Sequence, residues 1–213
     1  RGPGEIARLC RIAPPDIAVV LNVGNAHVGM TGSREATSRF KGEIISALHV
    51  DGTAVVNRDD EFASYFSSLA PCPVIEFGQS QGFVHASNIQ LDDLARASFV
   101  LHVGDDSAPV SLDLLGEHHV ANSLATAAIA QACGFTVDVI ASALTNARMR
   151  SHWRMEHVEL PNGVTLINDA YNANPESMSS ALRALALMGR HRRTWAVLGE
   201  MKELGDESMR EHD

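Results

Sequence analysis

Residues 17–48 read IAVVLNVGNAHVGMTGSREATSRFKGEIISAL. The first seven, residues 17–23, are nearly all apolar and rich in β-branched side chains. Such a run reads as a buried strand of a parallel sheet, where both faces are covered. Residues 24–32 follow as a glycine-punctuated loop. Ser33 is a natural N-cap for a helix reaching about Leu48, whose Ala36, Phe40, Ile44, Ile45 and Leu48 recur at helical spacing. Strand, loop and helix in that order open an α/β unit. The loop beyond a strand's carboxyl end is where open α/β sheets bind ligands.

The rest of the chain extends this pattern. Residues 53–57 read as a strand and 59–68 as a helix. Residues 73–77, 82–87, 98–103 and 109–113 read as short strands separated by turn residues. Residues 117–133 form an Ala-rich helix closed by Gly134 at C′, and 136–147 a second helix. Then the texture changes. Residues 154–160 and 164–168 flank Pro161-Asn162-Gly163, and Asn-Gly between two such runs signals a hairpin. Asn174-Pro175 opens a helix, with Asn as cap and Pro at N1, that runs to Met188 before Gly189. A last strand is expected over 194–198. The fold class is therefore α/β: a mostly parallel sheet with helices, then the start of a second α/β unit, with a boundary near residues 147–152.

Composition narrows the function classes. The chain has 213 residues, 45% hydrophobic and 20% charged, with a formal net charge of −9. These are values of an ordinary globular protein and exclude a disordered tail or a basic nucleic-acid coat. The charge is uneven. Residues 1–41 hold six basic and three acidic side chains, residues 42–147 two and thirteen, and residues 148–195 seven and four. Two locally positive segments in an acidic chain can converge on an anionic ligand, or be ordinary solvated surface. The acidic balance argues against nucleic acid as a partner. No apolar run approaches the ~18–20 residues that cross a bilayer, so no membrane insertion is expected. Cys10, Cys72 and Cys133 are far apart with no CxxC, which indicates neither a disulfide framework nor structural zinc and fits a cytoplasmic setting. Arg1 is followed by no leader-like segment. No signal peptide is expected, and the start reads as a cut through a larger protein.

Four places are able to carry chemistry. Asn25-Ala26-His27 lies in the loop after the first strand, where a histidine can bind a metal, orient a phosphate or simply satisfy the loop. Lys41 flanks the apolar stripe of its helix and is followed by Gly42, a mid-helix glycine. It is either a snorkelling surface lysine or one turned toward a phosphate. Residues 116–122, GEHHVAN, open the Ala-rich helix. His118 and His119 point about 100° apart on a helix and make a poor chelating pair, so zinc is rejected in favour of a helix start and Asn122 facing a ligand. Arg154-Met155-Glu156 and residues 169–175, DAYNANP, flank the hairpin. The second is a polar cluster between a strand and a helix, suited to ribose or phosphate recognition, or to capping alone.

Taken together, six segments resemble the Mur ligases, in their D-alanyl-D-alanine-adding branch. They are RGPGEIARLCRIAPPDIAVVLNVGNAHVG at 1–29, SRFKGEI at 38–44, GEHHVANSLATAAIA at 116–130, WRME at 153–156, NDAYNANPESM at 168–178 and TWAVLGEMKELGDES at 194–208. No single motif is specific; their combination, in the family's order and spacing, is.

The resemblance implies residues 1–149 as the later part of an ATP-binding central domain and 150–213 as the opening of a Rossmann-like C-terminal domain. The family's P-loop, and a glutamate that precedes the GARGPGE-like stretch, are expected upstream of Arg1. It implies an ATP-dependent ligase of peptidoglycan assembly that joins D-alanyl-D-alanine to a UDP-MurNAc-tripeptide through an acyl phosphate, with Mg²⁺ as cofactor and a monomeric state. By the same resemblance His27 matches a magnesium-binding histidine and Lys41 a lysine that is carbamylated to hold the metal. Asn122 matches the asparagine facing adenine, Arg154 an arginine reaching the ATP phosphates, and Asp169 an aspartate near the ribose. Asn172 and Asn174 belong to the same pocket. Asn25 departs from the small hydroxyl residue or Ala expected there. Another Mur-like ligase, forming the tripeptide or related to folylpolyglutamate synthase, is the alternative. The 213 residues alone, lacking a P-loop, are expected to be inactive.

Overall fold

The computed structural model describes residues 2–24, 32–202, 204 and 208–212. Eight strands and seven helices occur among them. A six-stranded sheet has the order β1 (Ile17–Val20), β2 (Thr53–Asn57), β3 (Val74–Gly78), β4 (Val84–Leu91), β5 (Arg96–Val103), β6 (Asp106–Leu115). β1 to β4 run parallel, in register Val19 with Val55 and Val55 with Ile75; β5 and β6 turn back antiparallel. The sheet is thus parallel where chemistry was expected and antiparallel at its far edge.

Both faces of the parallel part are covered, which is why its strands are apolar without alternation. Val55 points into one core, beneath α4 (His119–Ala132) and α5 (Val137–Thr145). Ala54 and Val56 point into the other, beneath α2 (Arg34–Ser46) and α3 (Ala63–Leu69). α4 is Ala-rich because it lies close against the sheet and touches all six strands. Gly42 lets α2 approach α3: a Cβ there would stand 2.6 Å from Leu69 Cδ1. α1 (Glu5–Ile12), which the sequence reading did not anticipate, packs on α2, with Glu43 accepting from the Gly4 and Ala7 amides.

The second part is a two-stranded hairpin, β7 (Glu156–Glu159) with β8 (Thr165–Asn168), and α6 (Pro175–Met188). Asn174 and Ser177 form a reciprocal capping box at the start of α6. A small core of Ala95, Leu115, Met155 and Ala184 joins this part to the sheet. α7 (Ser208–His212) was also not anticipated.

Three expectations are corrected. The first strand stops at Val20 rather than Val23, because side chains and not a neighbouring strand hold the next residues. The helix expected from residue 59 begins at Ala63, since Asp60 turns the chain first by accepting from the Phe62 amide. Residues 194–198 form no strand. A strand needs a ladder partner, β7 and β8 pair only with each other, and Trp195 and Val197 are 77% and 97% exposed. Among the described residues no helix is long and apolar enough to cross a membrane.

Candidate functional site

The site is built on the chain just past β1. There the backbone leaves the sheet, and its polar groups need other partners. Four side chains supply them. Asn57 donates to the Leu21 carbonyl at 2.7 Å and Lys41 Nζ to the Asn22 carbonyl at 2.6 Å. Asp60 accepts from the Val23 amide at 2.6 Å, and Arg34 donates to the Val23 carbonyl at 2.9 Å. Ser33 caps α2 as expected, accepting from the Ala36 amide, and so fixes the turn of helix that carries Thr37 and then Lys41.

Lys41 is half-buried. Burial pulls its ammonium below the usual lysine range, while the charges of Asp60 and Glu176 oppose that shift. Glu176 comes from the first turn of α6 and lies against Gly24, where a Cβ would meet its Oε2 at 2.5 Å. The second part of the chain therefore reaches directly onto the end of β1.

Between these elements lies a cavity of about 700 Å³. Lys41, Asn122, Arg154, Asp169, Asn172 and Asn174 all line it. These six sequence-derived candidates thus meet in one place, from α2, the start of α4, the turn before β7 and the segment after β8. The remaining candidate, His27, lies with Asn25 outside the described residues.

Several candidates have structural work as well. Asp169 Oδ1 accepts from the Met155 amide at 3.0 Å, which leaves a carboxylate's other acceptor positions available. Asn174 Oδ1 is the cap of α6, and Asn172 Oδ1 accepts from the Ala173 amide, so the capping alternative holds for these two. The guanidinium of Arg154 lies 4.0 Å from the Tyr171 ring centroid.

Thr37, His118, His119, Tyr171 and Glu176 also line the cavity. Thr37 was legible in principle, one helical turn before Lys41 on the same face. Glu176 was not, because a glutamate in a helix's first turn is already explained by the dipole. The His118 and His119 rings are tilted by 38°, with centroids 4.2 Å apart. Burial lowers both, His119 to about 4, with His118 adding to that shift; Asp169 partly opposes it for His118. His119 Nε2 is buried without a hydrogen-bond partner.

Among the described residues no three His, Cys, Asp or Glu are gathered to hold a metal. What surrounds Lys41 is oxygen: the Asn22 carbonyl and the Asp60 and Glu176 carboxylates. Such donors suit a hard divalent cation, provided Lys41 is not itself cationic.

The Mur ligase middle domain model matches residues 1–130, and the Mur ligase glutamate ligase domain model matches residues 153–213. The chain belongs to the Mur ligase family. Within it, the chain is similar to the UDP-N-acetylmuramoyl-tripeptide–D-alanyl-D-alanine ligase of Mycobacterium tuberculosis, 45% identical over 218 residues covering 100% of this chain and 43% of the relative. It also superposes on MurF from Acinetobacter baumannii, with TM-score 0.89 and 33% identity over 99% of this chain and 46% of that one. MurF from Thermotoga maritima in complex with ADP gives TM-score 0.83 and 31% identity over 99% and 48%. The chain spans less than half the length of these relatives.

Proposed function

We propose that these residues form one wall of the active site of an ATP-dependent ligase that adds D-alanyl-D-alanine to a UDP-MurNAc-tripeptide in peptidoglycan synthesis. In this reading residues 1–149 belong to the ATP-binding central domain and 150–213 open the C-terminal domain. The supporting observation is the cavity itself. Residues from α2, α4 and the segments around β7 and β8 meet there, so its polar and charged groups come from both parts of the chain. The ADP complex of the similar Thermotoga maritima protein supports a nucleotide as occupant.

The chemistry follows from the reactants. A carboxylate is a poor acyl donor at neutral pH, so its oxygen takes the γ-phosphoryl group of ATP and ADP leaves. The amine of D-alanyl-D-alanine then attacks the acyl carbon, the C–O bond breaks and phosphate departs. Two anions must first be brought together, and cations must offset their repulsion. Arg154 meets the phosphates, Asn122 the adenine and Asp169 a ribose hydroxyl, with Asn172 and the capped start of α6 at Asn174 beside them. Mg²⁺, when bound, supplies further charge compensation. Lys41, carbamylated, would hold it together with His27. Carbamylation requires the neutral amine, which the burial of Lys41 favours.

The test uses the intact ligase with ATP, Mg²⁺ and UDP-MurNAc-tripeptide. ADP release is expected with D-alanyl-D-alanine and not with single amino acids. Release only with a single amino acid would assign the chain to another Mur-like ligase.

A further inference from the structure

The turn that carries Arg154 is unusual in its backbone. Both neighbours adopt left-handed conformations, Trp153 at φ 62° and Met155 at φ 48°. Bulky side chains rarely adopt this region, and two such residues around one arginine persist only where surrounding structure imposes them. Glu156 accepts from the Trp153 amide at 3.3 Å, and the other two contacts on these residues come from one short segment. The Tyr171 amide donates to the Trp153 carbonyl at 3.0 Å, and Asp169 accepts from the Met155 amide at 3.0 Å. The same segment then reaches the side chain, since the Tyr171 ring lies 4.0 Å beneath the Arg154 guanidinium carbon. Tyr171 is 57% exposed and belongs to none of the hydrophobic clusters among the described residues, so its ring is not there to fill a core.

We infer that Tyr171 is a positioning residue for Arg154: its ring holds the guanidinium at the cavity before a phosphate arrives. A free arginine on the surface samples many rotamers, and each must be lost when it engages an anion. A ring face beneath the guanidinium removes most of that freedom beforehand and leaves the planar N–H edge available for oxygen atoms. The backbone clamp aims the Cα–Cβ bond, and the ring aims the rest. This inference rests on the proposed role of Arg154 toward the nucleotide phosphates.

The test is a double-mutant cycle in the intact ligase. Tyr171→Leu is expected to lower kcat about five- to tenfold, the range of an exposed to partly desolvated cation–π contact. KM for UDP-MurNAc-tripeptide and the thermal midpoint should not move. Tyr171→Phe keeps a ring face and should recover the rate to within about twofold. In an Arg154→Ala background, Tyr171→Leu should cost nothing further. Equal loss from Tyr171→Leu in both backgrounds would overturn the inference, as would a Tyr171→Phe rate as low as that of Tyr171→Leu. If Arg154→Ala alone leaves kcat intact, the phosphate reading fails and this inference with it. A damaging Arg154→Ala with additive Tyr171→Leu sinks the inference alone.

Discussion

The two parts of this chain are held in shape by different forces. In the sheet, Ala54, Val55 and Val56 are all fully buried, with helices above and below. In the hairpin, Val158, Val164 and Leu166 are 42%, 48% and 49% exposed, and α6 has one buried residue, Ala184. Apolar area fixes the first part. Caps, an Asp–amide bond and a cation–π contact fix the second. Substitutions in the first should therefore read out as stability, and those in the second as geometry of the cavity. Lys41 sits where the two rules meet, a polar fastening inside the well-buried part.

The largest expected effect breaks that division on purpose. Lys41→Ala in the intact ligase should lower kcat by about a thousandfold, or ~4 kcal/mol of transition-state stabilisation. Thermal stability should change little, because the residue is only half-buried. Added formate or acetate, a small carboxylate in place of the carbamate, should restore part of the rate. An unchanged kcat would remove Lys41 from the mechanism. A collapse in melting temperature would make it a structural link to Asn22.

The next comparison is internal to the fold. Leu124 is fully buried in α4 against the sheet, and Met155 is buried in the four-residue cluster that joins the two parts. Leu124→Ala should cost about 4 kcal/mol and Met155→Ala about 2 kcal/mol, since the smaller cluster has more room to relax around a deleted side chain. Urea denaturation of each variant measures both. Equal costs would mean that the second part is anchored as firmly as the sheet.

The same contrast governs what was legible in the sequence. Elements defined by burial or by a cap read correctly: β2 at Thr53–Asn57, the Ser33-capped α2 and the Asn174-capped α6. A run of β-branched residues or an Asn-Pro pair states its structure locally. Residues 194–198 looked like a strand for the same local reason, but a ladder partner is a tertiary fact that no local pattern contains. Likewise the strand after Val20 was ended by Asn57, Asp60, Lys41 and Arg34, all distant in sequence. For the cavity, residue types alone left Lys41, Asn122, Arg154 and Asp169 open, and the resemblance to the Mur ligases singled them out. Nothing local could indicate that Glu176 would cross to Gly24 or that Tyr171 would lie under Arg154.

The smallest expected effect tests the seam between the two parts, where α4 begins. His119 is 9% exposed, and burial beside His118 lowers it to about 4, against ~6.5 for a histidine in an unfolded chain. Between those values the unfolded chain binds a proton that the folded chain refuses. Stability therefore rises with pH across that window. The contribution is complete above about pH 6.5 and is lost as the pH falls toward 4. His118, also lowered by burial, adds in the same direction, while Asp169 facing it moderates the shift. Carboxylates titrate in this range too, so the measurement is a difference. Urea midpoints of the parent and of His119→Asn should converge as the pH drops from 6.5 to 4. Parallel loss in both would show that protonating His119 costs the fold nothing. The seam would then be open enough to hydrate a charged imidazole.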